Sequence, residues 1–323
     1  MTVRTADLRE ALNEAFRRTP GVGVRSIVRS PYPYRTSFPL EDLDVSLKDG
    51  RHLRLMFKDI GFERLEGPAK VAKARSLHDP LREIEAYKLL VGRGLGTPRL
   101  YATVAKPPGG PFWLFIERID GVPLWQVGER DVWEAAAAWL ARLHRSFLGF
   151  VPVSGSALSA CDVRRSMEAL GRAIGHASGG TREVLERIAV GYWDVVDRLK
   201  RLPRTLVHGD FHASNILIDR SCSPPRIAPA DWEMAMMGPG LLDLASLVSG
   251  RWSVTDRSAM VSAYANAYAG GAPDEEFLTD LEACRLHNAA QLLGASPEWT
   301  PPPDHAHDWV GEAVSAAERL GIL

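Results

Sequence analysis

Cysteine is scarce in this chain, with three in 323 residues. Cys161, Cys222 and Cys284 are widely separated, odd in number and without metal-ligand spacing, which argues against both a disulfide framework and a cysteine zinc centre. A reducing, cytoplasmic setting is expected. No run of apolar residues is long enough to span a bilayer, so no membrane association is expected. The N-terminal segment sets Asp7, Glu10 and Glu14 among Leu8, Leu12 and Phe16, an amphipathic helical pattern that lacks the continuous apolar core of a signal peptide. Neither sign of charge dominates. With a formal net charge of -1, the chain has no global electrostatic reason to bind nucleic acid or an anionic membrane. No internal repeat is visible, and nothing points to a protein partner. What remains is ordinary globular composition, 46% hydrophobic and 24% charged. A chain this long exceeds what one core usually serves, so two lobes with a cleft are expected.

The most informative stretch is His208-Gly209-Asp210-Phe211-His212-Ala213-Ser214-Asn215, with Asp231 beyond it. Thr205-Leu206-Val207 precedes the stretch, Ile216-Leu217-Ile218 follows it, and Arg226 to Ala230 leads into Asp231. Apolar runs alternating with polar breaks read as short buried strands that present a loop. Transfer of a phosphoryl group to a hydroxyl needs a carboxylate to orient or deprotonate that hydroxyl, and oxygen donors to hold Mg²⁺ on the nucleotide. Asp210 suits the first task, Asn215 and Asp231 the second. A buried Asp and Asn tying down loop backbone is the ordinary alternative.

Upstream, Lys58 emerges from the apolar strand pattern of Leu53, Leu55 and Phe57, where a buried ammonium needs an anionic partner. Asp79-Pro80 makes a good helix start, with the side chain as cap and proline at the first helical position, so a helix is predicted over 80–91. It carries Glu83 and Glu85 on different faces, and the residues alone do not choose between them. Further patterns predict a helix over 5–18 and strands near 22–29, 43–47, 52–58 and 112–116. A hairpin turn is read at Lys48-Asp49-Gly50, and helices before Gly149, over 181–201 and over 306–320. Trp133, Trp139 and His144 read as packing residues of the helix before Gly149. That helix and the one over 181–201 are expected to underlie the 208–215 loop. Pro301-Pro302-Pro303 is a stiff break.

His208-Gly209-Asp210 to Asn215, Asp231-Trp232-Glu233, and Gly238-Pro239 to Asp243 resemble the aminoglycoside phosphotransferase and choline kinase family, the small-molecule branch of the protein-kinase-like fold. Lys58 and Glu83 fall in the family's order. The resemblance implies an α+β bilobal fold, with a small β-rich N-lobe over 1–120 and a larger, mainly helical C-lobe over 121–323. It implies ATP and Mg²⁺ as cofactors, Asp210 as catalytic carboxylate, Asn215 and Asp231 as metal ligands, and Lys58 on the nucleotide phosphates, paired with Glu83. Glu117 and Ile119 resemble the linker whose backbone meets adenine. His208 and Asp243 would support the loop, while His212 has no assigned chemistry. The implied partner is a small-molecule hydroxyl acceptor: an aminoglycoside or another amine-bearing compound, or else choline, ethanolamine, homoserine, a macrolide or a sugar. A nucleotide-binding pseudoenzyme is the alternative from another class.

Two departures shape this reading. The turn between the first two strands, Ser30 to Pro39, has no glycine, so phosphate contacts there would fall to Ser30, Thr36 and Ser37 rather than to a glycine-rich loop. Only 11 residues separate Asp231 from Asp243. That is too few for a peptide-docking activation segment, and no Ala-Pro-Glu follows, which argues against a protein kinase. A histidine-nucleophile phosphotransferase would leave Lys58, Asn215 and Asp231 without a role. Charge is asymmetric: residues 274–323 carry ten acidic side chains against Arg285 and Arg319, a net -8, and the rest of the chain carries +7. These carboxylates either attract a cationic acceptor or simply solvate helix faces.

Overall fold

A computed structural model of the protein describes residues 3–17, 19, 22–33, 37–65, 78–158, 160, 165–295 and 307–323. Thr36, Cys161 and the three consecutive prolines lie outside the described residues. The chain forms two compact units, Met1–Gly121 with Asp219–Glu233, and Val122–Ile218 with Met234–Leu323.

In the first unit, α1 (Thr5–Phe16) is followed by β1 (Val24–Pro31), β2 (Leu40–Leu47), β3 (His52–Asp59), α2 (Pro80–Leu90), β4 (Leu100–Ala105) and β5 (Phe112–Glu117). The strands make one sheet in the order β1-β2-β3-β5-β4. Its pleat sorts the side chains. Leu43, Val45, Leu55, Phe57 and Phe115 are buried in one core cluster with Leu8 and Leu12 of α1. Leu8 and Leu12 lie four residues apart, on one helix face, and full burial stabilises each by roughly 1.5–3 kcal/mol. The register Leu40↔Lys58↔Leu114 and Asp42↔Met56↔Ile116 puts Lys58 and Met56 on the opposite face. The β2–β3 hairpin turns at Asp49-Gly50, where Gly50 has φ 88. Asp79 caps α2 by accepting from the Leu81 N–H at 2.9 Å, with Pro80 opening the helix.

Ser30 lies inside β1, opposite Asp42, and not in the turn where the sequence pattern put it. Pairing continues through Pro31↔Glu41, so the strand runs past the last alternating residue.

The segment Asp219–Glu233 also differs from the sequence division at 120, which assigned it to the second lobe. It holds β9 (Arg226–Pro229) and belongs with the first unit. The reason is Arg226. Its guanidinium makes a bidentate pair with Glu117 at 2.8 and 2.7 Å and donates to the carbonyls of Gly96 at 2.7 Å and Thr97 at 3.1 Å.

The second unit opens on the short β6 (Val122–Pro123), which pairs with β8 (Ile216–Asp219) through Val122↔Ile218. Its helices are α3 (Arg130–Ser146), α4 (Arg165–His176), α5 (Gly179–Arg201), α6 (Leu241–Val248), α7 (Val254–Ala269), α8 (Glu275–Ala295) and α9 (Trp309–Arg319). A two-stranded ribbon pairs β7 (Arg204–Val207) with β10 (Met236–Pro239). α3 buries Val132, Ala136, Leu140 and Leu143 and packs on β7, α6 and α7. The chief partners of α5 are instead α4, α8 and α9, because its buried stripe of Leu185, Ile188, Val195 and Leu199 faces those helices.

α8 carries a buried histidine that reports on acid stability. His287 is 4% exposed, and burial lowers its pKa from 6.5 to about 4. Its folded value is depressed, so its contribution is complete above pH 6.5 and is lost as pH falls toward 4. The difference amounts to roughly 3 kcal/mol. Urea unfolding from pH 7 to pH 4 should show this slope in the wild type and a flatter one in His287→Gln. An identical slope in both would place the acid sensitivity elsewhere.

Candidate active site

In the first unit, Lys58 at the end of β3 donates to Glu83 of α2, with Nζ 2.9 Å from Oε2 and 3.1 Å from Oε1. Of the two glutamates on α2, Glu83 makes this contact, because it lies one turn in from the Pro80 start and on the buried face, 2% exposed. Lys58 Nζ also lies 2.5 Å from Asp231 Oδ1 and 5.4 Å from the centre of the Phe38 ring. Burial works against the Lys58 ammonium, but Asp231, Glu83 and Glu233 outweigh it and hold its pKa well above 10.5. The same crowding acts in reverse on Glu83. Burial first, then Asp231 and Glu233, push its carboxyl up against the pull of Lys58. Two carboxylates thus contact one ammonium and Glu233 acts on it through its charge, so carboxylates outnumber the ammonium in this cluster. One turn after Glu83, Tyr87 is buried, and burial first, then the Glu83 charge, hold its hydroxyl pKa well above 10.

Asp231 is the one non-glycine residue with positive φ among the described residues, at 65. The left-handed region costs most side chains roughly 1–2 kcal/mol, less for Asp and Asn, so the conformation that presents this carboxylate is held by its surroundings.

The loop 208–215 lies in the second unit and is fastened at several points. Asp243 of α6, 1% exposed, accepts from the backbone N–H groups of His208 at 2.6 Å and Gly209 at 2.9 Å. Phe211 is fully buried, stacked on Trp139 with ring centres 5.8 Å apart. His208 meets the edge of Phe211, and its Nδ1 accepts from the Asp210 N–H at 3.3 Å. Asn215 Nδ2 donates to the Asp210 carbonyl at 3.0 Å and to Asp210 Oδ2 at 2.8 Å. Both contacts require the amide nitrogen, so Asn215 Oδ1 is directed elsewhere, as an acceptor.

His144, a packing residue by the sequence pattern, also reaches Asp243, a contact that the pattern did not signal. It is fully buried on α3, with Nδ1 2.8 Å from the Tyr264 hydroxyl and Nε2 3.3 Å from Asp243 Oδ2. The available signal was a polar residue on the apolar stripe of Leu140 and Leu143. Gly240 fits beside it, since a Cβ there would come 2.7 Å from His144 Nδ1.

The remaining predicted residues are less involved. The Glu117 side chain is committed to Arg226, which lowers its pKa, and its N–H donates to the Arg99 carbonyl at 2.8 Å. Ile119 is buried and its carbonyl accepts from Arg118. Ser30 is exposed and Ser37 half-buried. Of the ten C-terminal carboxylates, Asp280 pairs with Arg198 at 2.5 Å, Glu282 and Glu312 flank buried Arg285, and Asp274 and Asp308 cap α8 and α9. Structural duties therefore account for five of them.

The donor chemistry fits Mg²⁺. Asn215 offers an amide oxygen and Asp231 a carboxylate, hard oxygen ligands of the kind this ion takes, and carboxylates outnumber the ammonium in the cluster around Asp231. No helix among the described residues is long and apolar enough to cross a membrane.

Comparison with curated protein sequences gives no match. Solved structures with the same fold include the choline kinase LicA from Streptococcus pneumoniae, at 13% identity and TM-score 0.58, covering 98% of this chain and 99% of that one. LicA in complex with AMP matches at 12% identity and TM-score 0.56, over 97% and 98% of the two chains. An ethanolamine kinase of Plasmodium vivax matches at 14% identity and TM-score 0.57, over 92% and 82%. The fold is that of small-molecule kinases, α+β with a β-rich N-terminal part and a helical C-terminal part. The family model described as the phosphotransferase enzyme family, APH, matches residues 40–286, from β2 through the Asp210 loop and Asp231 into α8. The chain belongs to the phosphotransferase enzyme family.

Proposed function

We propose that this phosphotransferase moves the γ-phosphate of ATP, with Mg²⁺, to a hydroxyl of a small molecule. The observation that carries the reading is the bond from Asn215 Nδ2 to Asp210 Oδ2, which orients a carboxylate and an amide oxygen from one loop. Asp210 would accept a hydrogen bond from the acceptor hydroxyl and take its proton as the new P–O bond forms. Asn215 and Asp231 would hold Mg²⁺, which when bound neutralises phosphate charge. Lys58, kept charged and braced by Glu83, would bind the α- and β-phosphates. The Glu117 carbonyl and the segment through Ile119 would meet the base, and Ser37 would face the phosphates from the β1–β2 turn. Asp243 and His208 would keep the Asp210 loop rigid. Choline and ethanolamine, the acceptors in the names of the similar structures, both carry a cationic nitrogen, so acceptors with an amine or quaternary ammonium group come first in a screen. An ADP-release screen over hydroxylated amines, sugars and antibiotics tests the reading.

Nucleotide binding has its own test. Mg-ATP at about a hundredfold excess over its Kd should stabilise the fold by roughly 2.7 kcal/mol. Asp231→Asn keeps a residue that tolerates positive φ but loses a charge, and should abolish the Mg-dependent part of the shift. Lys58→Ala should shrink the nucleotide part. Melting curves that respond to Mg-ATP identically in all three proteins would remove both residues from the site.

A further inference from the structure

We propose that His212 is a positioning residue for Asp210, itself held in place by Trp309 at the start of α9. The inference rests on reading Asp210 as the carboxylate that orients the acceptor hydroxyl. His212 has no part in the chemistry above, yet it is tied to both partners of the motif. Its N–H donates to Asp210 O at 2.8 Å, and its carbonyl accepts from the Asn215 N–H at 2.9 Å. Its imidazole Nε2 lies 3.4 Å from Asp210 Oδ1, while Asn215 Nδ2 holds Oδ2 at 2.8 Å. The carboxylate is thus approached from two sides, and rotation about its last torsion is the motion that His212 restrains.

On its other side the imidazole meets Trp309 edge-on, with ring centres 6.4 Å apart at 67°. Trp309 is fixed in turn. The ring of His307 packs against it at 4.4 Å, and His307 Nε2 lies 3.2 Å from Glu312 Oε2. Glu312 accepts from Arg285 Nε at 2.9 Å, and Arg285, 1% exposed, donates on its far side to Glu282 at 2.7 Å. A continuous line of side chains within the second unit therefore runs from a buried arginine of α8, through the first turn of α9, to Asp210.

Exposure decides what a substitution does. The His212 and Asp210 side chains keep 32% and 43% of their accessible surface, so removing the imidazole costs the fold little. Misplacing a reacting group by about 1 Å, by contrast, can cost on the order of 10²-fold in rate.

The test uses the full chain as wild type, His212→Ala, His212→Asn, Trp309→Leu, Trp309→Phe and Asp210→Asn. ADP formation from Mg-ATP is followed with choline, ethanolamine and water as successive acceptors, and crystal structures of the wild type and His212→Ala are compared. His212→Ala should lower kcat roughly tenfold to a hundredfold, with KM for ATP and Tm close to wild type. His212→Asn, which keeps a donor, should recover part of the loss. Trp309→Leu should lower kcat less than His212→Ala, and Trp309→Phe should not lower it further. The Asp210 carboxylate should occupy more than one orientation in His212→Ala. An Asp210 carboxylate that stays in place in that variant, or a wild-type kcat there beside an inactive Asp210→Asn, overturns the inference alone. Full turnover in Asp210→Asn overturns the reading of Asp210, and this inference with it.

Discussion

Asp210→Asn is expected to lower turnover roughly 10²–10⁴-fold while nucleotide affinity and folding stay close to wild type. That is about 3–5 kcal/mol of transition-state stabilisation. The substitution keeps size and shape but removes the carboxylate proposed as the base. It also changes a hydrogen bond, since Asn215 Nδ2 donates to Asp210 Oδ2 and an amide in that place accepts only if its oxygen turns toward Asn215. The nitrogen then faces the position of Oδ1, where a hydroxyl would need an acceptor. Steady-state ADP release against acceptor concentration measures the loss. Turnover near wild type would remove Asp210 from the chemistry.

Gly209→Ala should be nearly as damaging, through the fold. Gly209 has φ 79, and a Cβ there would lie 2.2 Å from the Met234 carbonyl oxygen and 2.9 Å from its carbon. Backbone cannot rotate away as a side chain can. The left-handed conformation alone costs an alanine roughly 1–2 kcal/mol, and relief of the contact must spread the loop from the Met234 segment. The combined loss should be about 2–4 kcal/mol, a large share of the ~5–15 kcal/mol typical of a domain. Urea unfolding of the variant checks this. An unchanged midpoint would mean that the loop does not sit against Met234 in solution.

Much of the site was legible because its chemistry is written locally. Asp210 and Asn215 lie five residues apart on one loop, and their side chains touch. Lys58 announces itself as a lysine in an apolar strand, and Asp79-Pro80 marks the start of the helix that carries its partner. What stayed hidden is nonlocal. His144 reaches Asp243 across ninety-nine residues, and nothing near either residue signals the other. Arg226 looks like any strand-end arginine, yet its grip on Glu117, Gly96 and Thr97 assigns a whole segment to the first unit. The final helix was legible, but α6, α7 and α8 were not delimited, for a different reason. α8 is buried on several sides, with Leu281, Ala283, Cys284, Leu286, Ala289 and Ala290 spread around it, so no single apolar stripe marks its face. The acidic C-terminal region shows the limit of counting charge, because Arg198 and Arg285 already claim three of its carboxylates.

The measurement closest to the central claim is ³¹P NMR of Mg-ATP incubated with the wild-type protein and each candidate acceptor, with Asp210→Asn alongside. The account predicts a new phosphomonoester resonance appearing with stoichiometric ADP for at least one hydroxylated small molecule, absent without Mg²⁺ and strongly reduced in Asp210→Asn. A protein that is stabilised by Mg-ATP yet transfers phosphate to no acceptor would contradict it, and would mark the chain as a nucleotide-binding protein without catalysis.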